Sequence, residues 1–131
     1  MRKDIEIPEV KGVSIAVVKE WNSEFEMDDW NAYIVNENNQ AIDAVMVVTQ
    51  GFSPEKKTSK FRHMLGTVEA KSSLKIELIQ ERVLSFRNEF SVTYFLDNKL
   101  FDKKFIFREN TINERALQEI PYLDYKGVLV K

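Results

Sequence analysis

Apolar and polar residues alternate with a period of two, or run continuously apolar, over most of the chain, and helical spacing shows only near the end. Gly12–Trp21, Asp29–Asn36, Ala41–Gly51, Thr58–Leu65, Leu74–Gln80, Glu89–Leu96 and Leu100–Arg108 read as seven strands. The separators are turn-formers: "NENNQ", "SPEKK", "EAKSS" and the pair Asp97–Asn98. No helical stretch lies between the strands to carry a parallel crossover, so they are expected to pair antiparallel in two packed sheets. The expected fold is all-β, an antiparallel β-sandwich of seven or eight strands with one short C-terminal helix; a closed barrel uses the same local pattern.

The stretch "NEFSVTYFLDNKLFDKKFIF" holds six of the fifteen aromatic residues. In an antiparallel hairpin, residues opposite one another share a face, so loop length decides which side chains meet. An even-numbered loop, at Asp97–Asn98 or widened to Asp97 through Leu100, puts Phe90, Val92, Tyr94 and Leu96 on the same face as Phe101, Phe105 and Phe107. The other face then carries Glu89, Ser91, Thr93, Asp102, Lys104 and Arg108, interrupted by Phe95, Leu100 and Ile106. A three-residue loop would set the aromatic face against Asp102, Lys104 and Arg108, at several kcal/mol per buried charge by order of magnitude. Five of the six rings are therefore expected in the core, with Lys103 at a sheet margin where its amine reaches water. Phe95 is the ring expected to contact a partner.

Near the end, "TINERALQEIP" has Thr111 and Glu114 at capping-box spacing and Ile112, Ala116, Leu117 and Ile120 on one helical face, with Pro121 as the stop. A short helix is expected there, followed by an eighth strand in "KGVLVK". The stretches "IPEVKGVSI" and "IPYLDYKGVLV" echo each other, each with a proline ahead of a strand-like run. If both runs form edge strands, they are sites for self-association.

At 131 residues the chain suffices for one compact domain, 1–131. Cysteine is absent, which excludes disulfides, thiolate metal sites and cysteine nucleophiles. The charged start "MRKDIEIPEVKG" has no apolar core of a secretory signal, and no run is long enough to cross a bilayer as a helix. A soluble, cytoplasmic protein is expected. A net charge of −2 gives no general attraction to nucleic acid or anionic lipid.

No catalytic, cofactor or metal constellation emerges. His63, the single histidine, alternates with Phe61 and Leu65 and has no carboxylate or nucleophile motif to orient it, so it reads as a half-buried structural imidazole. The acidic run "EFEMDD" lacks the spacing and glycine of a calcium loop and reads as a solvated loop. The glycines are too scattered to cradle phosphate, and "SPEKKTSKFR", with Lys56, Lys57, Lys60 and Arg62, reads as a basic loop.

Several stretches carry resemblances. "FRNE" matches the core of the second signature motif of class II aminoacyl-tRNA synthetases, without that family's companion motif. "WNAYIVN", "FRHML", "YFLDNKLFDKKFIF" and the closing "KGVLVK" resemble a group of small uncharacterised bacterial proteins, some labelled phenylalanyl-tRNA synthetase. "NEFSVTYFL" resembles the late strand of immunoglobulin-like and fibronectin type III sandwiches, with Phe90 near the usual corner tyrosine.

The expectation is a non-enzymatic module acting through protein contacts, as a homodimer through edge strands or with another protein. Trp30, Phe95, Tyr122 and Tyr125 are its candidate contact residues. The alternatives are a small-molecule or carbohydrate binder and an RNA- or synthetase-associated module.

Overall fold

The structure, a computed structural model, describes residues 8–131. The reading of the first residues as no secretory signal falls partly outside them. Eight strands form two antiparallel four-stranded sheets: β1 (Val13–Asn22), β2 (Met27–Asn36), β3 (Ile42–Phe52), β4 (Phe61–Val68), β5 (Ser72–Ile79), β6 (Arg87–Leu96), β7 (Lys99–Phe107) and β8 (Gly127–Val130). One sheet has the order β5-β2-β1-β8 and the other β4-β3-β6-β7. This is the expected all-β sandwich.

Alternation sorts the side chains as anticipated. Val13, Ile15, Val17, Ala32 and Ile34 of the first sheet face Val45, Val47, Phe90, Val92, Tyr94, Phe105 and Phe107 of the second in one apolar core. Burying each large side chain there contributes about 1.5–3 kcal/mol. The β6–β7 hairpin turns on Asp97 and Asn98, both at positive φ (53° and 61°), the backbone of a type I′ turn that matches strand twist. Its register pairs Tyr94 with Phe101 and Phe90 with Phe105, so the aromatic face is internal. Tyr94 stacks on Phe101 at 5.0 Å between ring centroids, and the Lys103 amine lies 5.0 Å from the Phe105 ring centre. Phe95 points outward, 45% exposed.

β1 is apolar on both faces because both are covered. Ala16 and Val18, with Val35, pack outward against Ile120, Leu123 and Leu129 of the C-terminal segment. The two echoing runs turn out to be neighbours: β8 pairs with β1, Ile15 opposite Val130 and Val18 opposite Gly127. β1 is consequently an interior strand, and only β8 of the pair is an edge.

The C-terminal helix is not formed. A single 3₁₀ turn, Glu114–Ala116, stands in its place, and its cap is Asn113, whose side chain accepts from Arg115 N–H. Thr111 instead donates to the Arg108 carbonyl at 2.7 Å. Gln118 then exchanges backbone hydrogen bonds with Gly127 at 2.8 and 2.9 Å, which holds the chain extended where the helix would have continued.

Strand directions place two ends in contrast. One end carries the β1–β2 tip, the β3–β4 connection and a second 3₁₀ turn, Glu81–Val83. The other is organised by the fully buried Asn36, which donates to the carbonyls of Gln40, Val68 and Glu69 and accepts from Asn38 N–H.

Candidate functional site

At the first end the sandwich is open along one side, where edge strands β4 and β5 of opposite sheets face each other. The opening starts from a β-bulge. Ala32 pairs with Glu77 but Tyr33 pairs with Lys75, so Ile76 is an extra residue in β5. Strict alternation from Leu74 would send Glu77 to the outer face, and the inserted residue reverses the phase, a common way for an edge strand to re-aim a side chain. Glu77 thereby lies between the sheets.

Two side chains of the other sheet meet it there. Thr49 Oγ1 donates to Glu77 Oε1 at 2.9 Å, and His63 Nε2 lies 2.6 Å from the same oxygen. Thr49 faces inward on β3 opposite Phe61, and His63 sits opposite Val47, as the alternation of "FRHML" implies. His63 and Glu77 are both mostly buried. The imidazole thus has the carboxylate partner that no local motif announced, supplied from another sheet.

The trio borders a cleft of about 320 Å³ lined by Phe90, Ile79 and Val83 with Phe61 among its flanking residues. The size is that of a small ligand pocket or of a socket for one large side chain. Asn88 fixes one wall by donating to the carbonyls of Val83 and Phe86 at 2.9 and 3.1 Å, which ties the Glu81–Val83 turn to β6. Arg87 and Glu89 of the same "FRNE" stretch are engaged with each other: Arg87 lies over the Phe52 ring at 4.8 Å and donates to Glu89, which also meets Lys104 at 3.3 Å.

Chemically, the cleft offers a fixed acceptor above an apolar floor. The Thr49 hydroxyl is directed to Glu77 rather than to His63, so the imidazole does not activate it in the manner of a hydrolytic triad. Lys56, Lys57, Lys60 and Arg62 are all exposed on the β3–β4 connection and the start of β4, and none makes an ion pair among the described residues. Lys57 and Lys60 adjoin the lining residues Thr58 and Phe61 in sequence, whereas Arg62, opposite Val48, alternates with the inward-facing Phe61 and His63 and lies on the outer face.

The anticipated contact residues are not brought together. Phe95 lies beside Leu100 on the outer face of its sheet. Trp30 is partly buried against the core, and Tyr122 and Tyr125 are exposed on the C-terminal segment. Thr49 and Glu77 were not singled out in the sequence; the only trace of Glu77's role is an acid in the apolar run "LKIELI".

A smaller polar recess of about 250 Å³ lies at the same end, on β1 and β2, with Glu20, Asp29, Asn31 and Lys75 in its lining. Glu20 accepts from Asn31 Nδ2 at 3.0 Å and from the Tyr33 hydroxyl at 2.7 Å. Burial, then this hydrogen bond, pushes the Tyr33 hydroxyl pKa well above its ordinary value. Asn31 Oδ1 is buried without a hydrogen-bond partner among the described residues.

No family profile, curated protein or solved structure matches the chain. No helix among the described residues is long and apolar enough to cross a membrane.

Proposed function

We propose that this chain is an immunoglobulin-like sandwich acting as a non-enzymatic protein-recognition module, whose cleft between β4 and β5 receives an apolar anchor from the partner. The strand order supports the fold assignment. Reading β1, β2, β3, β5, β6 and β7 as strands A, B, C, E, F and G gives the A–B–E and C–F–G neighbourhoods of that fold, with β4 beside C and β8 added beside A.

The cleft carries the functional reading. An apolar floor with exposed Phe61 near it suits a desolvated anchor, and the lysines of the adjoining β3–β4 connection, unpaired among the described residues, suit an acidic rim on the partner. The test is a photo-crosslinking side chain at position 61, with one at Asp124 as control, in the cells that make the protein. Protein adducts specific to position 61 are expected. Adducts that nuclease removes would instead mark an RNA-associated module, and none at all would overturn the reading.

A small-molecule binder is the second reading, favoured by the convergence of Thr49, His63 and Glu77 on one point of the cleft. Native mass spectrometry of the protein taken from its own cells decides it. A retained compound that competes with crosslinking at position 61 would establish that reading in place of the first.

A further inference from the structure

Resting on the protein-recognition reading, we propose that the cleft's occupant is the β1–β2 tip of a second copy of this chain. The tip is apolar and exposed: Phe25 at the turn is 68% exposed, with Trp21 (57%) on one face of the ribbon and Met27 (50%) on the other. Large side chains so exposed together mark a contact surface.

The tip is also held in shape. Asn22 Oδ1 accepts from the N–H groups of Glu24 and Phe25 at 2.9 and 3.2 Å, and Asn22 Nδ2 donates to Asp29 at 2.8 Å. Glu26 closes the turn at φ 51°. An anchor presented on a fixed turn loses little freedom on docking, which is the condition for an energetic hot spot.

Charge selects this occupant. Phe25 is flanked by Glu24 and Glu26, which make no ion pairs among the described residues, and Asp28 follows with Lys19 at 3.7 Å. Lys56, Lys57 and Lys60, unpaired among the described residues, lie on the β3–β4 connection next to the lining residues Thr58 and Phe61, and Arg82 lines the cleft itself; its acids Glu77 and Glu89 are engaged by Thr49 and His63 and by Arg87 and Lys104. An acidic apolar tip and an apolar cleft with a basic margin are complementary, and the chain carries both.

Placement decides the form of assembly. Trp30, at the base of the tip, pairs with Ile79, which lines the cleft, so tip and cleft sit at the same end. Two copies meeting at that end exchange tips reciprocally, and such a contact closes as a pair.

The experiment is sedimentation of the full chain from micromolar to millimolar concentration, at low and high salt. A reversible dimer weakened by salt is expected. Phe25→Ser, which spoils the tip, and Lys57→Glu with Lys60→Glu, which spoils the cleft, should each weaken it by about tenfold or more. All three sites are exposed, and unchanged circular dichroism and melting temperature check that the variants fold. Mixing the two variants should restore association, because one copy's intact tip then meets the other's intact cleft. A strict monomer, a dimer indifferent to Phe25→Ser, or variants that do not rescue one another would overturn the proposal. A strict monomer that still crosslinks another protein at position 61 would overturn it while leaving the protein-recognition reading in place; loss of all protein adducts would remove both.

Discussion

Asn36 shows how much a single buried amide can organise. Its side chain satisfies three carbonyls and one backbone N–H at the end opposite the cleft, where no strand ladder is available to do so. Asn36→Ala deprives the buried Val68 carbonyl of this donor and frees the chain ends it ties together, and a loss of about 1–3 kcal/mol in urea unfolding is expected. Glu77 is the counterpart at the open end, taking both the Thr49 hydroxyl and His63 on one oxygen. A double-mutant cycle of Thr49→Val and Glu77→Ala should give a coupling of about 1 kcal/mol in the same assay. Additive losses would mean that the pair does not cooperate.

Strand identity was legible at the level of elements, and partnership was less so. The β6–β7 hairpin came out with the expected faces because only an even-numbered loop keeps Asp102 and Lys104 away from Phe90 and Tyr94. The eighth strand was also expected, from "KGVLVK". Where the sequence misled, a longer-range contact had overruled a local signal. The Thr111–Glu114 spacing forms a capping box only if the helix continues, and the Gln118–Gly127 bridge prevents that. β4 begins at Phe61 rather than Thr58, since Thr58 instead donates from its backbone to Gly51 and accepts the Gly51 N–H on its hydroxyl. The meeting of Glu77 with His63 depends on a bulge and a sheet-to-sheet approach, neither of which leaves a periodic trace. β8 in turn hangs on one small residue. A Cβ at Gly127 would come within 2.6 Å of the Val17 carbonyl and 2.7 Å of Val18 Cγ1. Gly127→Ala should therefore cost about 1–3 kcal/mol and detach β8 from β1, visible as faster amide exchange at Val128 and Val130.

For the molecule as a whole, the core sets the response to alkali. Burial pushes the Tyr94 hydroxyl pKa up to about 12 from an ordinary value of 10.0. The folded state therefore holds this proton more tightly than the unfolded chain. Its contribution is complete below pH 10.0 and is lost as pH rises towards about 12. The melting temperature should fall across that interval, and Tyr94→Phe should make the fall shallower. An unchanged slope would place the alkaline sensitivity elsewhere.

The bulge at Ile76 has one more consequence. Besides aiming Glu77 inward, it breaks the hydrogen-bonding rhythm of β5 midway along an exposed edge. A strand with such a step is a poor template for strand-by-strand stacking into amyloid. The irregularity that shapes the cleft therefore also helps protect a chain rich in extended segments from polymerising.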